Sequence, residues 1–212
     1  MRLVASYAAA VGILIALPAL ADVPSPTDSS VPDQLTVAAR DGSGATDPSY
    51  PFSIVVRHFG GRPFANALVV LDFSGCTDLE FCTDQGDPNV IADCNSRALR
   101  AISDNLGRVT FRVCGGAINN GAAPGPTGPA LNVYADGVLL KTSRVATLDE
   151  NGEDGLGGND HSAWLADFMS GQSFARSDFD GDGVLSGNDL SLWLGAFFRG
   201  SSTIGCGAAV CP

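Results

Sequence analysis

The chain has 212 residues, 45% of them apolar, and a formal net charge of −11. This length and apolar content are sufficient for one medium domain or two small ones. The acidic balance disfavours nucleic acid and anionic membrane surfaces as partners.

The N-terminal segment has the three features of a secretory signal peptide. Arg2 supplies a positive start, residues 4–17 are mostly apolar, and Ala19-Leu20-Ala21 is a small-residue cleavage site. A transmembrane anchor is the weaker interpretation, because the apolar run is short and ends at Pro18. We therefore predict a signal peptide over residues 1–21, no membrane span after its cleavage, and a secreted mature chain.

Residues 22–50 are rich in proline, serine, aspartate and glycine. Such composition is typical of loops and linkers. We predict a linker or N-terminal arm here, with one short strand-like piece from Leu35 to Ala39.

Residues 51–147 change to short β-rich runs that are separated by glycine and aspartate turns. Spacing of this kind favours a β-sandwich. The predicted strands lie within Phe52–Phe59, Ala65–Gly75, Arg97–Asp104, Arg108–Gly115, Ala130–Asp136 and Val138–Thr147.

Two motifs in this region resemble bacterial immunoglobulin-like domains of the invasin type. The first motif is a glycine-proline strand and the second is an aspartate-glycine turn followed by a strand. The matching residues are Gly61, Pro63, Ala67 and Val69 for the first, and Ser103, Asp104, Gly107, Val109 and Phe111 for the second. The resemblance implies an immunoglobulin-like β-sandwich over about 51–147 in a bacterial protein, to which the loop from Cys76 to Cys94 is an addition.

Six cysteines agree with export into an oxidising compartment and predict three disulfides. They are Cys76, Cys82, Cys94, Cys114, Cys206 and Cys211. We predict pairing in sequence order, with the last two forming a clip in a C-terminal tail over 201–212. Zinc binding by thiolates is disfavoured, because no CxxC pair occurs and both histidines lie far from the cysteines.

The acidic part of the chain contains an internal repeat. Between Asp149 and Asp189 there are ten acidic residues against one basic residue, Arg176. An offset of 29 residues places Trp193 over Trp164 and aligns residues 149–168 with 178–197 without gaps. A repeat this close predicts two copies of one supersecondary unit.

The second copy predicts a Ca²⁺ loop. Carboxylates at the first, third, fifth and twelfth places of a turning loop converge on one point, with glycine sixth and a backbone carbonyl seventh. The predicted ligands are Asp178, Asp180, Asp182, the carbonyl of Val184, Ser186 directly or through water, and Asp189. Oxygen-only ligands in this number favour Ca²⁺ over Mg²⁺ and transition metals, whereas the alternative is a plain acidic turn.

The first copy predicts a second, weaker Ca²⁺ site. Its ligands would be Asp149, Asn151, Glu153, the carbonyl of Gly155, and Asp160. Its sixth place is Asp154, which adopts a left-handed conformation less readily than glycine, and its ninth is Gly157, which offers no side chain.

Each loop is followed by a helical pattern. Leu190, Trp193, Leu194, Phe197 and Phe198 form one apolar stripe, and Ala163, Trp164, Leu165 and Phe168 form the other. We expect the two stripes to pack on each other as a small core. Because two short helices are marginal alone, bound Ca²⁺ would supply the missing stability.

A duplicated loop and helix with aspartate in the twelfth place resembles the type I dockerin, over residues 149–198. The resemblance implies an EF-hand-like module, here 148–200, that docks on a cohesin-like or cell-surface receptor when Ca²⁺ is bound. In dockerins the tenth and eleventh loop residues help to select the partner. Both copies here carry glycine and asparagine, at 158–159 and 187–188, so the family's usual pair is replaced.

The predicted function is a secreted, non-enzymatic Ca²⁺-binding protein that serves adhesion, attachment or extracellular assembly. The alternative is an accessory component of polysaccharide catabolism, in which the sandwich contacts an extracellular glycan. Catalysis by a glycoside hydrolase is disfavoured, because that reaction needs two carboxylates across a cleft and the sandwich offers only scattered acids.

Overall fold

A computed structural model describes residues 23–40, 46–118, 130–152, 155–201 and 210–211. The predicted signal peptide lies outside this part of the chain, as do Glu153, Asp154 and Cys206. Within it, the protein is mostly β, with two α-helices. None of the helices in these ranges is long and apolar enough to cross a membrane.

The strands are β1 Gln34–Val37, β2 Phe52–Val55, β3 Leu68–Asp72, β4 Leu79–Cys82, β5 Ile91–Asp93, β6 Ala98–Ile102, β7 Arg108–Phe111, β8 Gly115–Ala117, β9 Leu131–Ala135, β10 Val138–Thr147 and β11 Val210–Cys211. The helices are α1 Gly158–Ser170 and α2 Gly187–Ala196, and a π-helical turn, Phe197–Ser201, follows α2.

Six strands form one sheet, in the order β1-β10-β9-β3-β6-β5. β4 pairs with β8 and β11 in a three-stranded sheet, and β2 pairs with β7 in a two-stranded one. Inward residues alternate with outward ones along β2, β7 and β9, as period-two strands on a half-buried surface require. These inward residues fill a core in which Phe52, Phe73, Phe81 and Phe111 are fully buried.

The six predicted runs each contain a strand, and β10 has the bounds that the sequence predicts. The β9–β10 hairpin turns at Asp136 and Gly137, which both have positive φ (45° and 81°), so a two-residue turn with aspartate and glycine closes it. β4, β5 and β8 are not among the predicted strands. The pattern of β8 is weak because two of its three residues are Gly115 and Gly116.

The segment predicted as an arm contributes a strand to the large sheet. β1 runs parallel to β10, with Gln34 opposite Arg144. Leu35 and Val37 are buried in the core, and an isolated bridge joins Ser30 to Val55. Residues 30–38 therefore form part of the β structure. The strand-like piece predicted at Leu35–Ala39 overlaps β1, which begins one residue earlier and ends two residues earlier.

The predicted disulfide pairing is wrong. Cys94 is bonded to Cys211, 117 residues away, and Cys82 is also in a disulfide. Cys76 and Cys114 are free and buried, and the Cys114 thiol lies 3.0 Å from the Cys82 Sγ. Sequence order misleads here because strand pairing brings together cysteines that are far apart: β11 pairs with β4 and carries Cys211 into the sheet.

Gly107, in the turn before β7, should tolerate no side chain. Its φ is +73°, and a Cβ at this position would lie 2.2 Å from the Val56 carbonyl oxygen. Gly137 has a similar φ of +81° but open space around it, so it is a matched control. We expect Gly137→Ala to cost about 1–2 kcal/mol of unfolding free energy, the left-handed penalty alone. Gly107→Ala should cost clearly more in urea unfolding, and equal costs would contradict the steric argument.

Candidate metal centre

The two copies of the repeat contact each other reciprocally. The Trp164 Nε1–H donates to the Ser177 carbonyl at 3.2 Å, and the Trp193 Nε1–H donates to the Leu148 carbonyl at 3.1 Å. Leu148 and Ser177 are themselves related by the 29-residue offset, and each immediately precedes the first residue of a loop. We name Asp149–Asp160 loop 1 and Asp178–Asp189 loop 2. Trp164, which follows loop 1, is hydrogen-bonded to the residue before loop 2, and Trp193, which follows loop 2, is hydrogen-bonded to the residue before loop 1.

A second apolar core joins this repeat to the β structure. Trp164, Trp193 and Phe179 are buried in it together with Ala146 on β10 and residues of the N-terminal segment. The members of this core are Ala38, Ala39, Tyr50, Ala146, Leu148, Leu156, Trp164, Phe179, Trp193 and Ala196. The Tyr50 hydroxyl donates to the Leu192 carbonyl in α2 at 2.7 Å, and Arg199 pairs with the buried Asp47 at 2.8 Å. The helices thus pack on the β structure as well as on each other.

Loop 2 brings three of its predicted ligands together. One carboxylate oxygen from each of Asp178, Asp180 and Asp182 lies within 4.8 Å of the other two. Ca²⁺ holds oxygens at about 2.3–2.6 Å, so oxygens on opposite sides of one ion are about 4.6–5.2 Å apart. Gly181 and Gly183 turn the loop with φ of 75° and 89°, and Gly183 occupies the predicted sixth place. These three oxygens are close enough together to hold one metal ion.

The twelfth residue of loop 2 closes the loop and begins the helix. Asp189 Oδ1 accepts the N–H of Phe179 at 2.7 Å, and Oδ2 accepts that of Ser186 at 2.8 Å. Ser186 is the N-cap of α2, and its hydroxyl accepts the N–H of Asn188 at 3.1 Å. Val184, whose side chain is exposed, follows Gly183 in the chain, and its N–H donates to Asp182. The Asp189 carboxylate therefore both closes the loop and takes part in the capping box of α2.

Loop 1 repeats this frame. Asp149 Oδ1 accepts the N–H of Gly152 at 2.7 Å, as Asp178 Oδ1 accepts that of Gly181 at 2.9 Å. Asp160 Oδ1 accepts the N–H of Asn151 at 3.0 Å, and its Oδ2 accepts that of Gly157 at 2.7 Å. Gly155, the predicted seventh place, has a positive φ of 131°. The predicted ligand Glu153 lies outside the described residues.

The first and twelfth carboxylates of both loops are buried: Asp149, Asp160, Asp178 and Asp189 are at most 5% exposed. Burial, and next the nearby Asp160 carboxylate, raise the pKa of Asp149 to about 7. Burial also raises the pKa of Asp160 and of Asp178. Buried like charges are costly unless a cation or a proton compensates them. An all-oxygen donor set of this kind fits Ca²⁺.

A buried polar network links the two loops. The Ser177 hydroxyl lies 2.9 Å from Glu150 Oε1 and 2.6 Å from Asp167 Oδ2, and Asp167 forms a two-bond ion pair with Arg176. A hydroxyl has one hydrogen, so it donates to one carboxyl and accepts from a protonated other. Burial raises the pKa of Glu150 well above its ordinary value. The network replaces an apolar contact, because the residue equivalent to Glu150 in the other copy is the core residue Phe179.

The predicted helix stripes are only partly buried. Trp164 and Trp193 are core residues, but Leu165, Phe168 and Phe198 are 43%, 42% and 79% exposed. The expectation that both stripes pack fully on each other is therefore wrong for these three residues. Leu192 on α2 and Phe197 in the turn after it pack against the second core, whereas Phe168, the equivalent of Phe197 in the other copy, is exposed.

Three residues outside the repeat reach loop 2 and are not among the predicted site residues. They are Gln34 and Thr36 on β1 and Arg144 on β10. Their roles depend on the packing of the repeat against the large sheet, so loop spacing alone carries no signal for them. Comparison of the chain with known protein families, curated proteins and solved structures found no match.

Proposed function

We propose that this protein is a secreted, non-enzymatic Ca²⁺-binding protein that serves attachment or assembly outside the cell. It would consist of an immunoglobulin-like β-sandwich and a dockerin-like module with a Ca²⁺ site in each loop. The observation that carries the proposal is the convergence of Asp178, Asp180 and Asp182 within a duplicated loop-and-helix frame. Asp149, Asn151, Asp160 and the Gly155 carbonyl would hold the ion in loop 1, together with Glu153.

Calcium would compensate the buried carboxylates of both loops and so fix the relative position of α1 and α2. Hydrogen bonds within the protein connect the loops to the helices. Asp160 and Asp189 tie each loop to the helix that follows it, and the two tryptophans tie each helix to the opposite loop. A cation in either loop therefore stabilises both helices.

The open side of α1 is the surface that we assign to docking. Leu165, Phe168 and Met169 are 43%, 42% and 75% exposed, and Phe168 stacks on the buried Trp164 with ring centroids 5.2 Å apart. Phe197, the equivalent of Phe168 in the other copy, instead stacks on Trp193 and packs on the second core. The ring that packs on the second core in one copy is thus left exposed on α1 for a partner.

The test is Ca²⁺-dependent retention of proteins secreted by the same organism on the immobilised mature chain. Retention is expected in Ca²⁺, should be lost in EDTA, and should weaken about tenfold when the Phe168→Ala and Met169→Ala substitutions remove a desolvated apolar anchor. Ile91→Ala is the matched control, because Ile91 is 66% exposed on β5. Retention that is insensitive to EDTA, or equal in all variants, would count against docking by this surface.

A further inference from the structure

Three side chains of the large sheet bond to the backbone of loop 2. Gln34 Nε2 donates to the Asp178 carbonyl, and Thr36 Oγ1 donates to the Phe179 carbonyl at 3.0 Å. Arg144 Nη2 donates to the Gly181 carbonyl at 2.9 Å. Gln34 and Arg144 are opposite one another in the β1–β10 register, so one short stretch of sheet holds the first four residues of the loop.

Arg144 also contacts the carboxylate of the first predicted ligand. Its Nη1 lies 3.2 Å from Asp178 Oδ2, and the Asp178 side chain is fully buried. Oδ2 accepts the Gly183 N–H as well, at 2.9 Å, so both of its lone pairs are used. Oδ1 accepts the N–H of Gly181, which leaves one lone pair for a cation. Arg144 and the Gly183 N–H together occupy Oδ2, so Oδ1 is the oxygen that is left to face the proposed ion.

We infer that Arg144 is a positioning residue of the Ca²⁺ site in loop 2. This inference rests on the proposed function and concerns one of its two sites. The guanidinium joins the first place of the loop to the fourth, Asp178 to Gly181, with a planar fork whose geometry is fixed. The loop is thereby curved before the ion arrives, and the ordering cost that binding must meet is reduced.

The positive charge of Arg144 acts in the opposite direction, because a cation near the site repels Ca²⁺ and affinity rises with ligand charge. Two observations make this effect the smaller one. The guanidinium is paired with Asp178 Oδ2, the oxygen that does not face the proposed ion, and this carboxylate offsets its charge. The Arg144 side chain is also 25% exposed, so solvent screens the charge further. Loss of the fork should therefore weaken binding even though loss of the charge favours it.

Loop 1 provides the internal reference. There the sheet approaches Asp149 through the backbone of β8: the Ala117 N–H donates to the Asp149 carbonyl at 2.9 Å. A Cβ on Gly116 would lie 2.8 Å from Asp149 Oδ2, so glycine is needed for this approach. A substitution of Arg144 should leave the Ca²⁺ affinity of loop 1 unchanged.

The test is calorimetric titration of the full mature chain with Ca²⁺ alone, in the wild type, Arg144→Gln and Arg144→Lys. The double variant Asp180→Asn, Asp182→Asn identifies which binding event belongs to loop 2. Arg108→Gln is the matched control, because it removes one exposed positive charge from β7. Both Arg144 variants should bind at loop 2 about tenfold more weakly, with loop 1 and the Arg108→Gln protein unchanged.

The lysine variant separates positioning from charge, because lysine keeps the charge and loses the planar fork. Tighter binding at loop 2 in Arg144→Gln, with wild-type binding in Arg144→Lys, would overturn the inference and assign Arg144 a purely electrostatic role. Wild-type affinity in both variants would also overturn it. A wild-type chain that takes up no Ca²⁺ would instead refute the proposed function, and the positioning role with it.

Discussion

Thermal unfolding in saturating Ca²⁺ is expected about 10–20 °C above unfolding in EDTA. Each site that binds only the folded state adds about 2.7 kcal/mol when free Ca²⁺ is about 100 times its dissociation constant, and two sites add about 5 kcal/mol. For a protein of this length, each kcal/mol raises Tm by about 2–4 °C. The buried carboxylates of the two loops are the physical source of the effect, since their repulsion is present only without the ion.

Differential scanning calorimetry of the wild type and two variants, each in Ca²⁺ and in EDTA, separates metal binding from general charge effects. The double variant Asp180→Asn, Asp182→Asn should keep about half of the shift, because loop 1 remains. Asp136→Asn removes one exposed charge at the β9–β10 turn, where asparagine also accepts a positive φ, and should keep all of it. Mg²⁺ in place of Ca²⁺ should give a much smaller shift. A Tm that is equal in Ca²⁺ and EDTA would refute both metal sites.

The sequence predicts those features that depend on residues within one short segment of the chain. The Asp136-Gly137 turn predicts the β9–β10 hairpin because aspartate and glycine both adopt the positive φ that a two-residue turn requires, whatever the rest of the chain does. The 29-residue repeat likewise predicts both helices and both loop frames, because ligand, glycine and cap positions lie within one short segment. Gly183 and Asp189 have the local roles that these places require: a positive φ and a closing carboxylate.

Contacts between distant segments account for what sequence did not predict. β1 pairs with β10 across more than a hundred residues, and this register alone brings Arg144 to loop 2. Phe168 and Phe197 are equivalent residues of the repeat, so the sequence does not indicate that Phe197 packs on the second core while Phe168 is exposed. Glu150 resembles the other acids of the segment in sequence, yet it is buried beside Ser177.

Removal of the Cys94–Cys211 disulfide should lower the free energy of unfolding by up to about 5 kcal/mol. The bridge spans 117 residues, and in the chain-entropy model closure of a loop of this size costs the unfolded chain about that much. The variant is Cys94→Ala, measured by urea unfolding under non-reducing conditions. Cys76→Ala is the control, because Cys76 is a buried free thiol whose loss removes packing but no cross-link.

The same variant also tests how the tail and the loops divide the stability of the chain. Cys94 follows β5 and Cys211 lies on β11, whereas the loops are held by β1, β8 and β10. β5 and β11 share sheets with these strands, but neither is paired directly with β1, β8 or β10. We therefore expect the Ca²⁺-induced rise in Tm to persist in Cys94→Ala, with the two effects adding. Peptide mapping of the wild type should recover the Cys94–Cys211 pair. A Cys94–Cys114 pair would contradict the structure, and loss of the Ca²⁺ shift in Cys94→Ala would show that the tail strand positions the loops as well.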